Sequence, residues 1–168
     1  RFDDERLHQS LRRRLKWAQW ASPPNEYRRP SLTDLAWGDQ LAERVIHVVR
    51  GSVPRFTGTI DLMVIDDDGR ATHNNVFATS MQNAGVRFSD NGTRIVALFG
   101  DVTANRGRVG YTPETLATVA DAKPALVIQF GPPRWAAALT GAPNVISAWG
   151  GDRTMQNAAA RWLKRAAM

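Results

Sequence analysis

Two consecutive apolar runs, Ala125–Phe130 (ALVIQF) and Asn144–Trp149 (NVISAW), most restrict what this chain of 168 residues can fold into. Neither shows the alternation of a strand with one wet face, so each reads as a strand buried on both sides. Gly131-Pro132-Pro133 gives the first strand a sharp exit. Proline suits the opening turn of a helix, where the amide N–H has no intrahelical partner. A short helix is predicted over Trp135–Leu139, and Gly141-Ala142-Pro143 ends it before the second strand. Gly150-Gly151-Asp152 then leads into an Ala-, Arg- and Lys-rich helix, Thr154–Ala167. Strands alternating with helices predict a parallel sheet covered on both faces.

The upstream sequence extends this pattern. Arg6–Ala21 reads as a helix with a Leu7, Leu11, Leu15 stripe and Asp3, Asp4 and Glu5 near its positive end. Pro23, Pro24 and Pro30 make Ser22–Pro30 a linker, so residues 1–30 form a terminal helix and linker and 31–168 the α/β domain. Ser31 or Thr33 caps a helix to about Arg44, with Leu35, Ala42 and Val45 toward the core. Val45–Val49, Gly58–Ile65, Val86–Ser89 and Arg94–Phe99 read as strands, the last of them central. Asn75–Asn83, closed by Gly85, and Pro113–Asp121, capped by Thr112, read as helices. The expected fold is a three-layer α/β/α sandwich, flavodoxin-like, with a mostly parallel sheet of five or six strands.

Composition narrows the chemistry. At 43% hydrophobic and 23% charged residues the chain has the makings of a packed core. Without cysteine it has no disulfide framework and no thiolate nucleophile. His8, His47 and His73 lack metal-ligand spacing, and Asp66-Asp67-Asp68-Gly69 lacks the spaced ligands of a calcium loop, so no metal is expected. Ser89-Asp90 is followed at once by Asn91-Gly92 and reads as a turn. The net charge of +6 rests on arginine, and its densest run is Arg12-Arg13-Arg14 with Lys16. That run reads as a solvated helix face or an anchor for a neighbouring domain rather than a nucleic-acid surface. No apolar run is long enough to span a bilayer and no signal-peptide pattern is present. The chain opens at Arg1 without an initiator methionine and reads as a fragment or processed piece; periplasmic, secreted and cytoplasmic settings are all compatible.

The loop Asp101–Tyr111 is the candidate site. It follows an apolar strand and precedes a capped helix, which places it at the carboxyl edge of a parallel sheet, where ligands usually bind. Asp101, Asn105, Arg106 and Arg108 supply polar side chains, and Gly107 and Gly110 permit close approach of backbone amides. The phosphate-binding Gly-x-x-x-x-Gly-Lys-Ser/Thr and Gly-x-Gly-x-x-Gly motifs are absent, so no nucleotide cofactor is expected.

Five segments in order, Arg1–Leu15, Leu41–Gly51, Arg94–Val102 with Arg106-Gly-Arg-Val-Gly110, Ala125–Pro133 and Gln156-Asn-Ala-Ala159, resemble the C-terminal domain of glycoside hydrolase family 3. Thr57–Asp90 matches it only as a strand and helix pattern, and Trp17–Pro30 does not align. The resemblance implies that Arg1–Leu15 is the last helix of a preceding catalytic barrel, and that the Asp101–Tyr111 loop faces that barrel's sugar cleft. It also implies that the nucleophilic Asp, and in the N-acetylhexosaminidase branch the acid/base His and Asp, belong to the barrel. The glucosidase branch draws an acid/base Glu from this domain, but Glu5, Glu26, Glu43 and Glu114 have helix or linker explanations. A non-catalytic domain with a barrel and a carbohydrate as partners is therefore expected. The alternatives are a free-standing flavodoxin-like ligand-binding or signalling module, and an autonomous hydrolase using Asp101 or Asp152.

Overall fold

The computed structural model describes residues 4–20, 29–56, 59–67, 76–100 and 110–167. The chain divides into two compact units, Arg1–Ser31 and Leu32–Met168. The described part of the first is helix α1, Asp4–Trp20, with Arg29 and Pro30 outside regular structure. On α1, Leu11 and Leu15 of the predicted stripe are 48 and 62% exposed, as is Trp17 at 66%; the Leu7 side chain lies outside the described residues.

The second unit runs in the order α2 (Leu32–Val45), β1 (His47–Arg50), β2 (Thr59–Asp66), α3 (Val76–Asn83), β3 (Arg87–Phe88), β4 (Thr93–Phe99), α4 (Pro113–Ala122), β5 (Leu126–Phe130), a 3₁₀ turn (Pro133–Ala138), β6 (Val145–Ser147) and α5 (Arg153–Ala167). The six strands form one sheet in the order β1-β6-β5-β4-β2-β3. All pairs are parallel except β1 with β6. Neither this strand order nor the antiparallel direction of the edge strand β1 is indicated by the sequence.

Helices cover both faces, giving the three layers. One face of the sheet presents Ile60, Ile95, Ala97, Phe99, Ile128, Phe130 and Ile146 to Phe77 and Met81 of α3, Ala42 of α2, and Met155, Ala159 and Leu163 of α5. The other presents Val96, Leu98, Val127 and Val145 to Val119 of α4, and to Trp135, Ala136 and Leu139 around the 3₁₀ turn. Alternate residues of β4 and β5 therefore enter opposite cores, which is why these segments are apolar at nearly every position. Each Val, Leu, Ile or Phe among them contributes about 1.5–3 kcal/mol on leaving water. Phe99 stacks on Phe130 at 4.4 Å between ring centroids, and Phe77 meets Phe130 edge-on at 5.4 Å.

Polar contacts hold the connections. Arg50 on β1 donates to the carbonyls of Leu139, Ala142 and Ala136, tying the edge strand to the 3₁₀ turn. Gln156, only 2% exposed, accepts from the Phe77 amide at the start of α3 and donates to Gly151. Burial alone would raise the Glu43 pKa, but hydrogen bonds from Arg161 and Arg165 outweigh it and hold the carboxyl below its ordinary value. The pair of arginines thereby joins α5 to α2.

Two local expectations change. Leu35 is 56% exposed rather than buried: it shares a helix face with Asp39, Ala42 and Glu43 but lies a turn before them, ahead of the contacts that α5 makes with Asp39 and Glu43. The segment after β5 is a tighter 3₁₀ helix over Pro133–Ala138, beginning two residues and ending one residue before the predicted Trp135–Leu139 helix. Removing residues 1–30 is expected to shift the thermal midpoint by no more than about 2 °C, as for changes that leave a core intact. A larger loss in differential scanning calorimetry would show that α1 contributes to the stability of the second unit.

Candidate functional site

The strand order identifies the crevice before any side chain is considered. From β2 the chain moves outward to β3 through α3 on one face; from β4 it moves the opposite way to β5 and β6 through α4 and the 3₁₀ turn on the other. The direction reverses between β2 and β4, and in open α/β sheets ligands bind beyond the carboxyl ends of the strands at such a reversal. Those ends are Asp66 and Phe99, directly paired in register.

The described rim is firmly built. Asp67 donates its amide to the Phe99 carbonyl, and its Oδ1 accepts from the Thr112 amide at 3.0 Å, the Thr112 hydroxyl at 3.1 Å and the Thr115 hydroxyl at 2.6 Å. Thr112 in turn caps α4 through the Thr115 amide, with Pro113 in the first turn. What the sequence suggests is an acidic turn is thus partly a clamp between the end of β2 and the start of α4.

Gly100 leaves β4 beneath two rings. A Cβ there would lie 2.8 Å from Tyr111 and 3.1 Å from Trp135, so only glycine lets the rings close on the backbone. Gly110, at φ 102°, returns the chain to Tyr111. Both described ends of the candidate loop therefore sit at the carboxyl edge, as its sequence context predicts. Asp101, Asn105, Arg106, Arg108 and Gly107 themselves lie outside the described residues, as do Glu26, Asp68, Gly69 and His73.

The remaining carboxylates and histidines are placed as follows. Asp152 accepts from the Thr154 and Met155 amides and caps α5, a structural use of the carboxylate considered above as a strand-end nucleophile. Glu114 lies exposed in the first turn of α4 and Glu5 exposed on α1. Asp61 pairs with Arg94 across β2 and β4. His47 is an exposed edge-strand residue with Nδ1 2.9 Å from the Val45 carbonyl oxygen, and Ser89 and Asp90 lie at the turn before β4. Among the described residues no three His, Asp or Glu side chains converge as metal ligands, and no helix is long and apolar enough to cross a membrane.

The fold agrees with known enzymes along the whole chain. A glycoside hydrolase family 3 β-N-acetylglucosaminidase from Paenibacillus sp. str. FPU-7 matches 100% of this chain over 39% of its own, with TM-score 0.64 and 13% identity. The β-glucoside phosphorylase BglX matches 82% of this chain over 30% of its own, at TM-score 0.62 and 14% identity. A fungal multi-domain GH3 β-N-acetylglucosaminidase matches 98% over 22%, at TM-score 0.57 and 15% identity. The chain has the fold of one part of these enzymes. The chain spans less than two-fifths of these enzymes. No protein-family profile matches the sequence, and no curated protein does.

Burial pushes the Tyr111 phenol far above its ordinary value of 10; the Gln129 side chain it faces opposes the shift and the charge of Asp67 adds to it. A phenol that stays neutral when folded but ionises when unfolded supports folding fully below pH 10, and that support is lost as pH rises above it. The wild-type chain should lose stability above about pH 10, by up to ~1.4 kcal/mol per pH unit from this group. Tyr111→Phe should remove that share of the slope in denaturant unfolding at pH 9–11. An unaltered slope would mean the phenol is not shielded at the crevice.

Proposed function

We propose that this chain is the C-terminal, non-catalytic α/β sandwich domain of a family 3 glycoside hydrolase, nearest the β-N-acetylhexosaminidase branch. In this reading it packs on a catalytic barrel and helps wall the barrel's sugar cleft. The carrying observation is that both compact units together match a minority of a longer family 3 enzyme, leaving the rest of such a chain for a separate catalytic domain. Residues 1–30 are then the barrel's last helix and the linker, and the exposed Leu11, Leu15 and Trp17 are the surface it would bury.

The fate of the carboxylates supports a non-catalytic role. A retaining glycosidase needs a nucleophile and a proton-transfer group flanking the bond it cleaves. Glu43, Asp61, Asp67 and Asp152 are each engaged in ion pairs, a clamp or a helix cap. The contribution to the cleft falls to the loop between Gly100 and Gly110, whose ends sit at the sheet reversal. Asp101, Asn105, Arg106 and Arg108 are its polar side chains, suited to sugar hydroxyls or to the barrel's own loops.

Two measurements test this. The isolated chain should not turn over aryl β-N-acetylglucosaminide or β-glucoside; turnover abolished by a point mutation in this chain would overturn the reading. In the intact enzyme, replacing Arg106 and Arg108 together with Ala should lower kcat/KM by about tenfold or more, the equivalent of ~1.4 kcal/mol of transition-state binding. The melting temperature should stay nearly constant. Unchanged kinetics would remove the loop from the cleft.

A further inference from the structure

Trp149 stands out among the residues the function has not absorbed. It lies two residues beyond β6, at the carboxyl edge of the sheet, and is 53% exposed. Its backbone φ is 57°, in the left-handed region that side chains with a Cβ rarely occupy. An exposed indole adds little to the core, and left-handed backbone is unfavourable, so packing accounts for neither feature. Strain of this kind is characteristic of ligand-contacting positions.

The surroundings define what the indole can receive. Because β1 runs antiparallel to β6, His47 lies opposite Ser147, and its ring comes 6.4 Å from that of Trp149 at an interplanar angle of 56°. Tilted at that angle, the imidazole walls the indole instead of stacking over its face. Gly150 and Gly151 follow with no side chains to cover it. The nearby carboxylate of Asp152 is engaged by the first-turn amides of α5, so neither a free anion hole nor a free counter-charge is offered. A neutral ring with an apolar C–H face and a hydroxyl rim fits this setting: C–H groups against the indole, hydroxyls toward His47 and the glycine backbone.

We propose that Trp149 is the stacking platform of a second carbohydrate subsite, with His47 at its rim, accepting one pyranose ring; the choice of a sugar rests on the glycosidase reading above. The subsite is distinct from the β2–β4 crevice: it lies at the end of β6, and β5 stands between β6 and β4.

The test is titration of the 168-residue chain with N-acetylglucosamine and, separately, glucose, followed by ¹H–¹⁵N spectra. The Trp149 indole N–H should shift saturably with at least one sugar, with Kd on the order of 1–10 mM. His47→Ala should weaken binding severalfold. Trp149→Gly should abolish it while leaving the melting temperature equal or higher, because glycine accepts the backbone angle without strain. Lack of a saturable shift, a response that survives Trp149→Gly, or a marked drop in melting temperature in that variant would each overturn the platform. Binding is read on the isolated chain without hydrolysis, so this failure is separate from that of the domain assignment, which turns on activity.

Discussion

The adjacent strands β4 and β5 are the constraint on which the rest depends. Ile95, Val96, Ala97, Leu98 and Phe99 pair in register with Leu126 through Phe130, and every one of these residues is buried. Because their side chains alternate between two cores, neither helical layer can be removed without exposing one face of both strands. Phe99 and Phe130 end the strands side by side and stack, which sets the level of the carboxyl edge. From that level the chain leaves at Gly100 and Gly131, the first beneath the rings of Tyr111 and Trp135. The candidate crevice is thus a consequence of core packing.

This dependence explains which parts of the structure were legible in the sequence. Doubly buried strands announce themselves as uninterrupted apolar runs, and Thr112-Pro113 announces a helix start, so β4, β5 and α4 are foreseen closely, while the predicted strand Asn144–Trp149 shortens to Val145–Ser147. Contacts made across long separations leave no such signal. Asp67 clamps Thr112 and Thr115, and Arg50 holds carbonyls of the 3₁₀ turn. Both pairings appear only once the sheet order is known. The orientation of β1 was unreadable for the same reason: HVVR shows a strand, not its direction. Leu35 was misplaced because an amphipathic pattern gives a helix face but not how far the neighbouring helix reaches along it.

The candidate site was partly legible. Its position followed from an apolar strand, glycines and a capped helix, and the described ends of the loop lie where that reasoning puts them. The clamp at Asp67 was missed, although an acidic turn after a parallel strand is a signal for the carboxyl edge. In the sequence Trp149 closes an apolar strand pattern; the two glycines that follow are the cue that it stands free of the core.

The proposed function requires that the carboxyl edge, and not the amino edge, meets the partner of this domain. Hydrogen–deuterium exchange separates the two edges, by comparing the isolated chain with the longer, barrel-bearing polypeptide proposed above. Exchange should be slower in the longer polypeptide for segments 66–75 and 100–112, with little change in the turns at residues 89–92 and 123–125 on the opposite edge. Protection confined to those opposite turns, or none in either set, would contradict it.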